Sequence, residues 1–266
     1  HWNYTVFFLI QHLCRSYNIS IYIISMKIEE EEDNGLKIKP TTQNIDNALG
    51  VPEPFINKPA VYCVCGAMGS GKSSWLNSIM TAGGKNQVFK HKFDYVFYAT
   101  PKEVFESEEN HPFAKHNPTR LFFDLSHKTF EKIIDTCQTA KEEEKSCCLI
   151  IDDFSELMKN KQVLAYLQRL IYKHRHYRLN IILSILTLKS LPRQLRGLID
   201  IYVLFRPKSV VSIRDFIDDV LGMDRKDAEQ LFDYIYDKPY QFLFYNQRDH
   251  TFYKNFNKLR ITKTDE

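Results

Sequence analysis

Residues Gly66-Ala67-Met68-Gly69-Ser70-Gly71-Lys72-Ser73 spell GxxxxGK[ST]. A short apolar run, 60–65, precedes them, and Ser74-Trp75-Leu76-Asn77-Ser78-Ile79-Met80 follows in a helical pattern. This pairing of motif and context constrains the fold more than any other feature, because the motif works only between a strand and a helix. Gly66, Gly69 and Gly71 permit backbone angles and a close approach that turn successive N–H groups toward an anion. A helix beginning near Gly71 adds its positive dipole end. The predicted nucleotide-binding set is therefore Gly66, Ala67, Met68, Gly69, Ser70, Gly71, Lys72, Ser73 and Ser74. Lys72 is expected to meet the β- and γ-phosphates of ATP as a catalytic point charge. Ser73 is expected to ligate Mg2+ through its hydroxyl. Trp75 reads as core or as a contact on the exposed helix face.

A second run, Ser146-Cys147-Cys148-Leu149-Ile150-Ile151-Asp152-Asp153, stays apolar until it closes on two acids. Such a run suits a strand covered on both faces. Carboxylates at its C-terminal end lie where ligands bind in open parallel sheets. Asp152 is expected to hold magnesium, directly or through its water, and Asp153 to be the catalytic base that polarises the attacking water. Many P-loop ATPases place Glu at the second position; Asp is shorter but can serve. Taken alone, the pair could cap a helix opening at Phe154-Ser155-Glu156. The glycine loop upstream favours the catalytic reading.

Strand candidates at 93–99 and 121–125 lie between the loop and Asp152, and a helical stretch, 128–143, follows the second. After Asp152 come a helix with Leu164, Leu167 and Ile171 in register and a strand at 180–187. This alternation predicts an α/β fold, a P-loop NTPase of RecA-like, additional-strand class. Its central sheet is mostly parallel, with helices on both faces and a further strand between the loop strand and the Asp152 strand. Residues 200–205 read as another strand and 209–221 as a helix closed by Gly222. Asp224 can cap a second helix through Tyr236. Residues 240–245 and 250–254 form a hairpin whose aromatics suit core and edge packing better than base stacking. The GTPase signature NKxD is missing: the Asn-Lys pairs at Asn57, Asn160 and Asn257 lack the Asp.

The 266 residues are 44% hydrophobic, enough for a full core. A net charge of +3 does not by itself imply nucleic acid. The first 50 residues hold four basic and six acidic groups, so the rest is more basic than the total suggests. Basic clusters fall at 173–178 and 189–196, compatible with DNA as partner. Cys14, Cys63, Cys65, Cys137, Cys147 and Cys148 match neither zinc nor disulfide spacings and read as reduced core thiols. No run of 18 apolar residues exists, so no membrane span is expected. The chain opens on His1 and has no Met before Met26, so residues 1–25 read as upstream translation. The alternative is a genuine strand or helix packed on the domain. An acidic block, 29–33, reads as a solvated arm, and 34–58 as a Pro-containing lead-in. The organisation is an N-terminal extension, 1–57, an ATPase domain, 58–258, and a tail, 259–266.

Five segments carry a more specific resemblance: GAMGSGKS at 66–73, LIIDD at 149–153, the Arg175-His176-Tyr177 turn before an apolar strand, LPRQLR at 191–196 and FYKNF at 252–256. Their order and spacing resemble the viral DNA-packaging ATPases of the FtsK–HerA superfamily, found in poxviruses, giant viruses, virophages and Polinton-like elements. The loop and the acid pair alone say only P-loop ATPase. The resemblance implies a homo-oligomeric ring that hydrolyses ATP and moves double-stranded DNA into a preformed capsid. A capsid or portal-like vertex component would be its partner, inside an infected host at the site of virion assembly or with the virion itself. It also implies an arginine from a neighbouring subunit that stabilises transition-state charge. Arg175 aligns best with that role and Arg178 second, while Arg193 and Arg196 could face DNA or the subunit interface.

One position departs from the family. A polar Gln usually ends the strand after the Arg-His-Tyr turn, and here that position is Leu186. Leucine cannot orient water or sense phosphate. Thr187 or Ser184 substitutes, or hydrolysis is impaired, or the element is decaying. Three other readings compete with the packaging motor: a helicase-like mobilisation ATPase, a small-molecule kinase, and a nucleotide-binding scaffold with impaired turnover.

Overall fold

The computed structural model describes residues 49–107, 111–154 and 160–261. The expectations for residues 1–25, the acidic block, most of the lead-in, the helix start at Ser155 and the last five residues lie outside these. The apolar run before the loop forms β1, Val61–Cys65, buried on both faces. Helix α1, Lys72–Thr81, follows. Next come β2, Tyr95–Ala99, α2, Lys102–Ser107, and β3, Leu121–Phe122. Helix α3, His127–Glu142, leads to β4, Cys147–Asp152, and α4, Lys161–Lys173, leads to β5, Leu179–Ile185. The short α5, Arg193–Arg196, precedes β6, Ile201–Phe205. Helix α6, Val210–Phe216, and α7, Arg225–Ile235, precede the closing strands β7, Phe242–Asn246, β8, Thr251–Lys254, and β9, Asn257–Lys258.

The nine strands form one sheet in the order β3-β2-β4-β5-β1-β6-β7-β8-β9. The first six pair in parallel and the last three are antiparallel. Strand β5 separates β1 from β4, which is the inserted strand expected from the spacing. Parallel strands need crossover connections, and these lay helices on both faces, which is why β1, β4 and β5 are buried at every position and mostly apolar. Alternate residues then divide the core. Val61, Cys63, Leu149 and Ile151 face α3, α4 and α7. Tyr62, Val64, Cys148 and Ile150 face α1. Asp152, two residues beyond Ile150, therefore points to the α1 side. Cys63, Cys65, Cys137, Cys147 and Cys148 are free thiols in these layers, as expected. Among the described residues no helix is long and apolar enough to cross a membrane.

Several boundaries shift for local reasons. The strand expected at 121–125 stops at Phe122 because Asp124 turns the chain into α3, accepting bonds from Ser126 N and Thr129 Oγ1 at 2.9 and 2.6 Å, while Ser126 caps the helix. The strand expected at 180–187 ends at Ile185, leaving Leu186 just past its end. The helix expected over 209–221 becomes α6 plus a wider turn, Ile217–Leu221, before Gly222 takes φ 60°. Asp224 caps α7 as predicted, accepting from Lys226 N at 2.8 Å. The hairpin aromatics Phe242, Phe244, Tyr245 and Tyr253 are buried, in keeping with a packing role.

Candidate nucleotide-binding site

The loop leaves the C-terminal end of β1 and is tied to the sheet by Gly66 N donating to Ile185 O at 3.2 Å. Ser70 N closes a turn on Ala67 O, and Trp75 N makes the first helical bond to Gly71 O. Gly71 stands at the helix entrance with φ 108°, a conformation that L side chains rarely adopt. Gly66 is needed for a different reason. A Cβ there would lie 2.6 Å from Ser70 Oγ and 2.8 Å from Phe205 Cβ. Phe205, at the end of β6, is the floor of the loop. Gly66→Ala is expected to cost about 1–3 kcal/mol through this clash. It should lower the melting temperature and weaken the thermal shift produced by ATP at least tenfold in concentration.

Lys72, the first residue of α1, is 8% exposed. Its ammonium donates to Gly66 O at 2.7 Å and to Ala67 O at 3.2 Å. Burial pulls its pKa down, while Asp153 and then Asp152 pull it up. Asp152 ends β4 and is buried, with Oδ2 accepting from Tyr98 Oη at 3.1 Å. Asp153 follows at φ 58°, its N–H donating to Ser184 O of β5 at 3.3 Å. Burial raises the Asp153 pKa and the charge of Asp152 raises it further, with Lys72 opposing. The structure thus brings Lys72, Asp152 and Asp153 into one electrostatic group. It holds a cation against two acids, one of them made more basic than usual. Ser73, beside Lys72, and Asp152 offer a hydroxyl and a carboxylate, the hard oxygen donors that suit magnesium.

A cavity of about 1000 Å³ opens along Gly69–Ser74 and is walled by Pro52, Phe55, Tyr240 and Phe256. A nucleoside triphosphate fits a space of that size. A second hollow, about 740 Å³, lies over Met68, Gly69 and Ser70, beside Arg206, Lys208 and Lys238. The sequence reading did not single out these three basic residues or Tyr240. They come to the loop because β6 pairs with β1 and ends beside it, and antiparallel β7 starts next to that end, which only the sheet order reveals.

The arginines fare differently. Arg175 is exposed and follows α4, at the N-terminal end of β5. The loop sits at the C-terminal end of the parallel neighbour β1, so Arg175 lies at the opposite end of the strands from the loop. Arg178 donates to Glu144 O at 2.7 Å and faces the Glu144 carboxylate. Arg193 is exposed and pairs with Asp219 at 3.1 Å. Arg196, expected to face DNA or a neighbouring subunit, is instead buried: it donates to Leu191 O at 2.8 Å and pairs with Asp219. A charge held inside the fold by a carboxylate and a carbonyl is structural.

A glycine loop between a buried strand and a helix, facing two acids across an inserted strand, defines a P-loop NTPase. The family model of the NACHT domain matches residues 60–219, well over half of the chain, and the chain belongs to that family. No curated protein matches. Solved structures with this fold include B204, the DNA-packaging ATPase of Sulfolobus turreted icosahedral virus. It is 17% identical at a TM-score of 0.56, over 75% of this chain and 98% of that one. The genome-packaging NTPase B204 of Sulfolobus turreted icosahedral virus 2 in complex with AMPPCP is 21% identical at 0.54, over 76% and 98%. Its complex with ATP-gammaS is 16% identical at 0.52, over 76% and 98%. At these identities the likeness is one of fold.

Proposed function

We propose that this protein is an ATP-hydrolysing motor that moves double-stranded DNA into a viral capsid. The observation that carries the hydrolytic part is the grouping of Lys72, Asp152 and Asp153 at the ends of α1 and β4. Lys72 and the loop amides bind the phosphates, Ser73 and Asp152 hold Mg2+, and Asp153 activates water. Magnesium, when bound, neutralises charge on the β- and γ-phosphates. Support for the packaging part comes from the five-segment resemblance to FtsK–HerA motors of poxvirus and giant-virus type. The fold shared with B204 adds to it. In this reading the protein acts as a homo-oligomeric ring with a capsid or vertex component, inside an infected host where virions assemble. Arg175, lying away from its own loop, acts in the site of a neighbouring copy.

DNA contact is made through phosphates, so it is independent of sequence and weakens with salt. The test is ATP hydrolysis with and without duplex DNA at two salt concentrations. Turnover is expected to rise severalfold with DNA at low salt and to lose that rise at high salt. Turnover indifferent to DNA at both concentrations would remove the motor. A second reading, a nucleotide-binding scaffold with impaired turnover, is favoured by Leu186 just past the end of β5, where a polar residue is expected. Slow turnover that Leu186→Gln accelerates supports it, and no acceleration counts against it.

A further inference from the structure

The acid that ends β4 is restrained from the neighbouring strand. Tyr98 pairs with Ile150 in the β2–β4 register, so its side chain shares the face of Ile150 and Asp152. From there the phenol reaches diagonally to the next residue on that face, and Tyr98 Oη lies 3.1 Å from Asp152 Oδ2. Behind it, His111 Nε2 lies 3.3 Å from the same Oη. All three side chains are buried, Tyr98 at 1%, His111 at 7% and Asp152 at 5% exposure.

One backbone group sets the accepting nitrogen of His111. Phe113 N–H donates to His111 Nδ1 at 3.1 Å, so Nδ1 carries the lone pair. In the neutral ring the proton is then on Nε2, which donates to Tyr98 Oη. The phenol proton is left to point at Asp152 Oδ2. Ring packing holds the chain of bonds in place. Tyr98 stacks on Phe113 at 4.2 Å and 12°, and Phe105 lies against His111 at 4.4 Å.

We propose that Tyr98, oriented by His111, is a positioning residue for the magnesium-binding carboxylate Asp152. One carboxylate oxygen accepts the phenol proton, so the side chain cannot rotate freely, and the other oxygen is left to meet the metal or its water. Groups that orient a metal ligand in this way change metal affinity or activity about 10- to 100-fold when removed. A buried tyrosine that merely satisfies its hydroxyl in the core would leave metal binding unchanged. This inference rests on the nucleotide-site reading above.

The test uses the full chain with AMPPCP bound and follows Mn2+ binding by electron paramagnetic resonance, alongside the Mg2+ dependence of ATP turnover. Tyr98→Phe keeps the stacked ring and removes only the hydroxyl. It is expected to weaken Mn2+ binding and raise the half-saturating Mg2+ about tenfold, with metal-free nucleotide binding unchanged. His111→Phe should produce a smaller loss in the same direction, and His111→Gln, which can still donate, should restore it. If Tyr98→Phe does not fold, His111→Phe carries the test, because it leaves the hydroxyl in place. Mn2+ affinity unchanged in the folded variants, with turnover abolished in Lys72→Ala, overturns the positioning role and leaves the nucleotide site standing. Turnover that survives in Lys72→Ala overturns both.

Discussion

Lys72→Ala is expected to lower ATP turnover about 100- to 1000-fold while the protein stays folded. The size of the loss follows from where the charge sits. The ammonium is buried at the helix entrance, and it is a cation set against Asp152 and Asp153 at the phosphate end of the loop. In such a water-poor place a fixed charge stabilises developing phosphate charge far more than it would in bulk solvent. The fold depends on it much less. Burial is the largest influence on its pKa and disfavours the charged form, so the fold gains little from holding it. Its two hydrogen bonds go to the carbonyls of Gly66 and Ala67, residues that line a small hollow of about 190 Å³ beside Leu186 and Thr187, where water can replace the ammonium. The melting temperature should therefore move by no more than about 4 °C. Steady-state hydrolysis and thermal unfolding on the same preparation check both halves. Turnover within threefold of the unsubstituted protein would take the glycine loop out of the mechanism.

The parts of this site that could be read from the sequence are those whose chemistry is local. The glycine loop is contiguous, and its residues at 66, 69, 71, 72 and 73 fall within eight positions, so the motif can be read without knowing any tertiary contact. Strands β1 and β4 announce themselves because a strand covered on both faces reads as a near-continuous apolar run, broken in β4 only by its last residue, Asp152. The inserted strand β5 follows from counting strands on either side of Asp152. Contacts between distant residues were not legible. Tyr98 meets Asp152 across 54 positions through a register that only strand pairing sets, and His111 reaches Tyr98 from a loop 13 positions on. Phe205 forms the loop floor because β6 lies beside β1, and no local pattern records that neighbour. Arg196 belongs to a basic cluster in the sequence, yet Asp219, 23 positions on, draws it inside. The short β3 shows the same limit: an apolar run suggested five residues, and the turn held by Asp124 ended it after two.

Asp153→Asn should separate catalysis from stability, with effects of opposite sign. Loss of the base is expected to lower turnover about 100- to 10,000-fold. The backbone will accept the change, because residue 153 has φ 58°, and Asn tolerates the left-handed region as well as Asp does. The same φ gives a physical reason for Asp where many P-loop ATPases carry Glu: the short side chain suits this conformation. For stability the sign follows from the pKa. Burial first, and the Asp152 charge second, raise the Asp153 pKa above its ordinary 3.8, so folding favours the protonated carboxyl. At neutral pH the carboxylate is ionised and the folded state bears the strain of that charge. Asparagine removes it, so the variant should melt higher than the unsubstituted protein at pH 7. The advantage should shrink as pH falls through the raised pKa and vanish below 3.8, where both states bind the proton. The raised pKa also moves the acid limb of kcat/KM upward from where an unperturbed aspartate would set it. Melting curves from pH 3 to 8, with turnover measured over the range where the protein stays folded, test both signs. A variant that melts lower at pH 7 contradicts the electrostatic account of the acid pair, and one that keeps a tenth of its turnover removes Asp153 as the base.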